Sequence, residues 1–456
     1  MESQDTEPLS TAARQLAQFA AGLRYGDIPA LDLLRAKQCA IDTIGVSLLG
    51  RRLPWGRMIA TYAQHYGGAG TSRIIGAGDK VSAPMAALAN GVFAHGFELD
   101  SLRKPGAGVH PGASLVPPAL AIAEETGAGG EALLTAIVAG CEVMFRIGAA
   151  SRHTSEHLGF HAPGLTGPFG AAIAASHLLG LDADTMCNAL GIAGSLCAGV
   201  LAFAKADNGA MVKRLHLGRA AEAGIFAARL AQQGYEGPDT ILDGEFGFLQ
   251  TYCTGGDATL LTRGLGADFE TRKVCFKRYP CHVTAHTPVQ SVEVMRREHG
   301  FDGHDVLQVV VRASPKVLSH HANREPADTM AAQYSVPFCI AVALLDDPMD
   351  PDAFLERGLS DAGVRALCRQ VEMEEARGDL IQRSAWASEV AIRLKDGRVI
   401  IRAADDFEGT PTWPLSDQAL RDKYLRCAQG FEHAAALLEQ LERIETLPDV
   451  RVLALG

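Results

Sequence analysis

The chain has 456 residues, of which 47% are hydrophobic and only 6% aromatic, so it outgrows a single core and favours closely packed helices over a β-sandwich. A net charge of −11 without a long basic run disfavours a nucleic-acid partner. The polar N-terminal stretch has no apolar signal core, and no uninterrupted apolar run approaches the roughly 18 residues of a membrane span, so no membrane partner is expected and the cytoplasm is the expected location.

The ten cysteines never form C-x-x-C, which removes the usual spacings of disulfide frameworks, zinc ribbons and iron–sulfur clusters. In chain order, Leu16, Phe19, Ala20 and Leu23 lie at helical spacing within a predicted helix over 9–23. Pro29 opens a second helix that runs to Gly50, and 55–66 reads as a third. A small-residue helix then enters the stretch NGVFAHGFELDSLRKPGAGVHPG, which sets down His95, Glu98 and Asp100, then Arg103 and Lys104, then His110. Gly and Pro punctuate that loop as they do functional loops.

Two Ala-rich helices follow over 115–125 and 130–149, the second apolar all round and therefore buried. His153, His157 and His161 recur every four residues. A metal set on one helical face would suit that spacing, but Gly159 and Pro163 argue for a loop, and no metal site is expected. The run 169–201 reads as two helices. Lys205, Lys213, Arg214 and His216 then precede an Ala-rich helix, where cations add to the dipole and suit an anion. Lys277, Arg278, His282 and His286 crowd around Pro280. Residues 305–318 alternate as a strand, and 384–407 reads as a hairpin turning at Asp396-Gly397. Helical segments over 335–347 and 361–373 lie between them, and 415–441 returns to helix.

The expected fold is mainly α. A large all-α domain (1–268 and 406–456) holds a smaller α+β domain (269–405) inserted before the C-terminal helices.

The motifs AIDTIG, NGVFAHGFELDS with HPG, GFHAPGLTGPFGAA, NGAMVKRLHLGRAAEAG, KRYPCHVTAH and AAQYSVPF occur in that order. Together they resemble the MmgE/PrpD family of 2-methylcitrate dehydratases, cis-aconitate decarboxylases and iminodisuccinate epimerases. The resemblance implies that the α+β domain is a lid over a cleft, that the protein is a homodimer, and that no metal or other cofactor is needed. It places the family's catalytic positions on Asp100, His110, His161, Lys213 and His282, with Glu98 and Lys277 beside the substrate. The chain departs from the family pattern in Glu98-Leu99-Asp100-Ser101, where Asp-Phe-Asp-Asp is usual, in a longer loop carrying Arg103 and Lys104, and in Phe338, where some members have Tyr.

The chemistry so implied starts by removing a proton next to a carboxylate. The charge left behind needs cations, for which Lys213 and Lys277 are suited. Imidazoles serve as base and acid near neutrality, and Asp100 could orient one or act as the base itself. Arg103 and Lys104 are candidates for binding an extra carboxylate. The expectation is a cofactor-independent hydro-lyase on a di- or tricarboxylate, like 2-methylcitrate dehydratase. The alternatives are a decarboxylase, an epimerase, or a binding protein on the same fold.

Overall fold

Thr11 accepts a hydrogen bond from the Arg14 backbone N–H and so starts helix α1 (Ala12–Gly22). The computed structural model describes residues 10–106, 108–205 and 211–456, so Leu9 of the expected first helix lies outside the described residues. The chain divides into two compact units, one comprising the chain up to Gly96, Asp100–Val274 and Ala428–Gly456, the other Phe97–Leu99 and Cys275–Cys427.

The first unit is helical. After α1 come α2 (Ala30–Arg52), α3 (Pro54–Tyr66), α4 (Ala83–Ala94), α5 (Pro111–Thr126), α6 (Gly130–Ala150), α7 (Ala162–Leu178), α8 (Ala183–Gly194) and α9 (Val212–Gln232). Small residues decide how closely these helices pack. A Cβ on Gly91 of α4 would lie 2.9 Å from the Gly218 Cα of α9, and one on Gly218 would lie 2.5 Å from the Leu88 carbonyl oxygen. The two helices therefore touch backbone to backbone. Ala94, Ala113 and Leu217 form a small buried cluster, which brings the end of α4 and the starts of α5 and α9 together.

Helix α6 is long and apolar enough to cross a membrane by length and composition, but 83% of its apolar window is buried inside the protein. It also holds a buried ion pair, Arg146 Nη1 to Glu142 Oε2 at 2.7 Å. Glu142 in turn accepts the backbone N–H groups of Glu270 and Thr271, at 2.9 and 2.8 Å, and so anchors that strap. Removing one partner of such a pair costs about 3–5 kcal/mol. The C-terminal segment belongs to this unit too: Lys37 of α2 pairs with Glu445 at 2.9 Å.

The second unit is built on a four-stranded sheet in the order Val371–Glu375, Val306–Ala313, Ser388–Leu394, Val399–Ala404. The first pair is parallel and the others antiparallel. A parallel pair needs a crossover, and the helices Pro315–His321, Val336–Leu345 and Ala362–Gln370 lie along it. Val306, Val309, Val311 and Ala313 are buried on one strand and Val390, Ile392 and Leu394 on the next, the alternation of a sheet with one covered face. The hairpin turns at Gly397, with φ +92°.

The expected helix over 415–441 is two helices, Asp417–Cys427 and Ala434–Glu442. The break at Gly430 (φ +81°) falls just after the boundary between the units. Strand Val371–Glu375 was not expected, because VEMEE directly extends an amphipathic helix and carries three glutamates.

Candidate active site

Two short proline motifs place the central imidazoles. His110-Pro111 and His161-Ala162-Pro163 put proline into the first turn of α5 and α7, where its missing N–H costs nothing, and leave each histidine as the residue capping the helix. His95 caps the other end of α4, and Lys213 and His216 lie in the first turns of α9. Lys213, Arg214 and His216 were expected ahead of that helix; they are inside it, and Asn208–Ala210 of the same motif lie outside the described residues.

These helix ends meet. Asp100 is fully buried, and its Oδ2 lies 2.9 Å from His95 Nδ1 and 2.8 Å from His110 Nδ1. The His95 ring stands 5.0 Å from that of His110 and 6.0 Å from that of His161. His161 Nδ1 lies 3.0 Å from His216 Nδ1. The result is a chain of imidazoles joined through one carboxylate, with the N-termini of α5, α7 and α9 beside it. Helix N-termini carry partial positive charge and favour anions.

The electrostatics assign protons. Burial pulls the His95 imidazole down to about 3, against the pull of Asp100. His95 is therefore neutral at pH 7. Burial works to raise the Asp100 carboxyl, but its two imidazole partners outweigh burial and hold it well below the usual range. An ionised Asp100 accepts from both Nδ1–H groups. Both histidines then carry a proton on Nδ1, and the neutral form of His110 presents a lone pair on Nε2, as a base must. Burial also holds His161 well below its ordinary value, with His95 and His216 adding to the effect. Ser101 Oγ accepts the Gly112 backbone N–H at 3.1 Å, which ties the residue after Asp100 to the start of α5. The serine at the family pattern's last aspartate position thus has a structural use.

The second unit holds its own cluster. Lys277 Nζ donates to Glu98 Oε2 at 2.8 Å, with both side chains buried, and Tyr334 OH lies 3.3 Å from Glu98 Oε1. Glu98 takes φ +54°, a left-handed conformation costing a non-glycine residue about 1–2 kcal/mol. It is held on both sides: Gln333 donates to the Phe97 carbonyl and Lys423 to the Leu99 carbonyl, each at 2.8 Å. His282 stacks on His321 with ring centroids 4.3 Å apart, and its ring lies 4.8 Å from that of Tyr334, tilted by 38°. A cavity of about 450 Å³ lies elsewhere in this unit, lined by Arg278, Arg296, Arg297 and Trp413 among others. Two of its cations already serve protein partners, Arg278 with Glu408 and Arg296 with the Ala343 carbonyl.

The loop cations are placed differently from expectation. Arg103 is buried, directs Nε and Nη2 at Glu270 (3.1 and 2.7 Å), donates to the Pro105 carbonyl and lies over the Phe145 ring at 5.7 Å. Its guanidinium braces the loop. Lys104 is half-buried, with its backbone N–H bonded to the Lys273 carbonyl. The four-residue histidine spacing does not form a face either: His153 has φ +58° and pairs with Glu156, and Gly159 turns the chain before His161. A different set could hold a metal. His95, Asp100 and His110 each offer a ligand atom within 4.8 Å of the others, a donor set of imidazole and carboxylate that suits zinc. Both Nδ1 atoms lie at hydrogen-bond distance from Asp100, so an ion there would displace two protons.

The model of the MmgE/PrpD N-terminal domain matches residues 14–261, and that of the C-terminal domain matches residues 279–446. The chain belongs to the MmgE/PrpD family. It is 28% identical to the cis-aconitate decarboxylase of Homo sapiens over 98% of this chain and 94% of that protein. It is 30% identical to the cis-aconitate decarboxylase of Aspergillus terreus over 93% of this chain and 90% of that protein. A cis-aconitate decarboxylase-like protein of Aspergillus oryzae is 27% identical over 97% and 94%. In this MmgE/PrpD chain, Asp100, His110 and His161 come together, with His95 and His216 joining them. Sequence reasoning named His95 without a role, placed His216 only in a basic cluster suited to an anion, and did not name His321 or Tyr334. The available signals were the Gly-rich helix crossing that brings α4 to α9 and the tyrosine inside AAQYSVPF.

Proposed function

We propose that this protein is a lyase of small di- or tricarboxylates that moves a proton at a carbon next to a carboxylate, with cis-aconitate decarboxylation as the leading reaction. The observation that carries the reading is the Asp100-bridged imidazole pair, which leaves His110 with a fixed tautomer and a basic Nε2 beside the N-termini of α5, α7 and α9. Similarity over nearly the whole length to proteins named as decarboxylases supports the choice of reaction.

In that reaction the carboxylate on the saturated arm of cis-aconitate leaves as carbon dioxide, and its electron pair forms the new terminal double bond. The electrons of the old double bond move onto the former alkene CH, next to the carboxylate it bears, and that carbon takes a proton. The intermediate is an enediolate, so cationic Lys213 and the helix N-termini stabilise its charge. His110 or His161 delivers the proton, after its Nε2 has first taken one from solvent. Dehydration of a 2-methylcitrate-type substrate is the second reading. It needs one base and one acid, and the cluster holds two imidazoles separately, one on Asp100 and one on His216. A homodimer is part of the proposal, tested by light scattering.

The test offers cis-aconitate, 2-methylcitrate and smaller dicarboxylates to the purified protein, and follows released carbon dioxide and new alkene separately. Carbon dioxide from cis-aconitate supports the leading reading, and alkene from 2-methylcitrate alone supports the second. No turnover of any member, with binding intact, would leave a binding protein.

A further inference from the structure

We propose that His216 is a positioning residue for His161: it accepts a hydrogen bond from His161 Nδ1–H and so holds His161 in the tautomer whose Nε2 is free to take a proton. The inference rests on the proposed function in taking His161 as a proton-transfer group.

The geometry is narrow. The two Nδ1 atoms face each other at 3.0 Å. Two N–H groups cannot point at one another, and two lone pairs repel, so this contact holds one shared proton. Either His161 donates and its Nε2 is a base, or it accepts and its Nε2 carries hydrogen. The surroundings fix the ring planes. His161 is buried, and its backbone N–H donates to the Gly199 carbonyl at 3.1 Å. Gly199 has φ +122°, and a Cβ there would lie 3.0 Å from His216 Nδ1. Only glycine leaves that ring its place. Phe203 meets both rings edge-on, at 5.4 and 5.8 Å.

The charges favour the donor arrangement for His161. His216 is held below its ordinary value by burial and by Lys213, so it stays neutral with a lone pair to offer. His161 is faced by His95, His110, His216 and the Asp100 carboxylate. When its Nε2 takes a proton, the resulting imidazolium keeps a hydrogen bond from Nδ1–H to His216 and lies on the side of the cluster that holds Asp100. His216 thus does for His161 what Asp100 does for His110, with a neutral acceptor in place of a charged one.

The test uses the whole protein labelled with ¹⁵N-histidine, and compares His216→Ala, which removes the acceptor, with His216→Asn, whose amide oxygen can stand where Nδ1 stood. In the wild type His161 should show the Nδ1–H tautomer; in H216A it should shift toward Nε2–H, and in H216N it should return. On the substrate that the wild type turns over, H216A should lower kcat by about 10- to 100-fold with KM within about twofold. The acid limb of its pH profile should move to lower pH, because His161 has lost a partner that stabilises its charged form. H216N should recover most of kcat. If H216A does not fold, His216→Phe fills the ring's space and makes the same comparison. An unchanged His161 tautomer in the variant without an acceptor overturns the proposal, as does unchanged kcat or a failure of H216N to restore it. Absence of turnover in the wild type would sink the proposed function instead, while the tautomer measurement would still decide the His216 contact.

Discussion

Replacing Asp100 with Asn keeps the shape of the side chain and removes its charge, and the structure shows why neither orientation of the amide works. With the amide oxygen where Oδ2 stands, both Nδ1–H bonds survive, but the NH₂ occupies the place of Oδ1, which is buried and has no hydrogen-bond partner among the described residues. An unsatisfied buried donor costs about 1–3 kcal/mol. Flipped, the NH₂ donates to both Nδ1 atoms, and His95 and His110 are driven to the opposite tautomer with hydrogen on Nε2. His110 is then no longer a base. In both cases the carboxylate that stabilises a His110 imidazolium at 2.8 Å is gone. In a catalytic triad the same change lowers kcat by about 10⁴. A fall of about 10³- to 10⁴-fold is expected here, roughly 4–5.5 kcal/mol on the barrier, with KM little altered. Steady-state kinetics on the substrate identified by the panel, beside a thermal melt confirming a folded variant, make the check. A folded D100N with kcat within tenfold of wild type would refute the tautomer argument.

Further outcomes follow from the same geometry. Lys213→Ala, at a buried position in the first turn of α9, should cost about 3 kcal/mol in kcat/KM, roughly 10²-fold. Exposed Lys205→Ala should cost nothing, and equal effects would remove Lys213 from the site. Arg103→Ala should destabilise the protein by about 2–4 kcal/mol in urea melts, because it leaves part-buried Glu270 with one cation fewer; unchanged stability with a KM rise for one large polycarboxylate would restore Arg103 as a substrate contact. The imidazoles of His95 and His321 are lowered to about 3 and about 4, chiefly by burial. The unfolded chain therefore binds protons that the folded one refuses. Stability should be full above about pH 6.5 and fall by up to about 1.4 kcal/mol per pH unit for each group, down to those values; equal urea midpoints at pH 7 and 5 would contradict this. Chelators should leave activity intact, whereas added zinc should inhibit it reversibly by displacing the Nδ1 protons at Asp100; activation by zinc would make His95, Asp100 and His110 a metal site.

Local rules made part of this site readable and long-range contacts made part of it opaque. His110 and His161 stand out because each is followed within two residues by a proline in the first turn of a helix, and the hairpin stands out because Asp396-Gly397 separates two alternating runs. The partnership of His161 with His216 spans 55 residues, and that of Arg103 with Glu270 spans 167. Nothing in the neighbourhood of Arg103 announces that a distant glutamate neutralises it, so two basic residues among glycines read as free cations. Lys213 reads as a loop residue because glycine precedes its helix and a polar run begins it. Val371–Glu375 is a strand because it pairs in parallel with Val306–Ala313. That pairing overrides a helical pattern and can be seen only once the crossover is closed.

Incubation of the wild-type protein with cis-aconitate in deuterated water, read by proton NMR, tests the proton-transfer reading most directly. The expected product has lost one carboxylate and carries a terminal methylene, with a single deuterium on the carbon that was the substrate's alkene CH, now saturated and still bearing its carboxylate, and none on the new alkene carbon. Substrate left unchanged and unexchanged under conditions where it binds, or a product whose deuterium sits elsewhere, would contradict proton delivery at that carbon by the imidazole cluster.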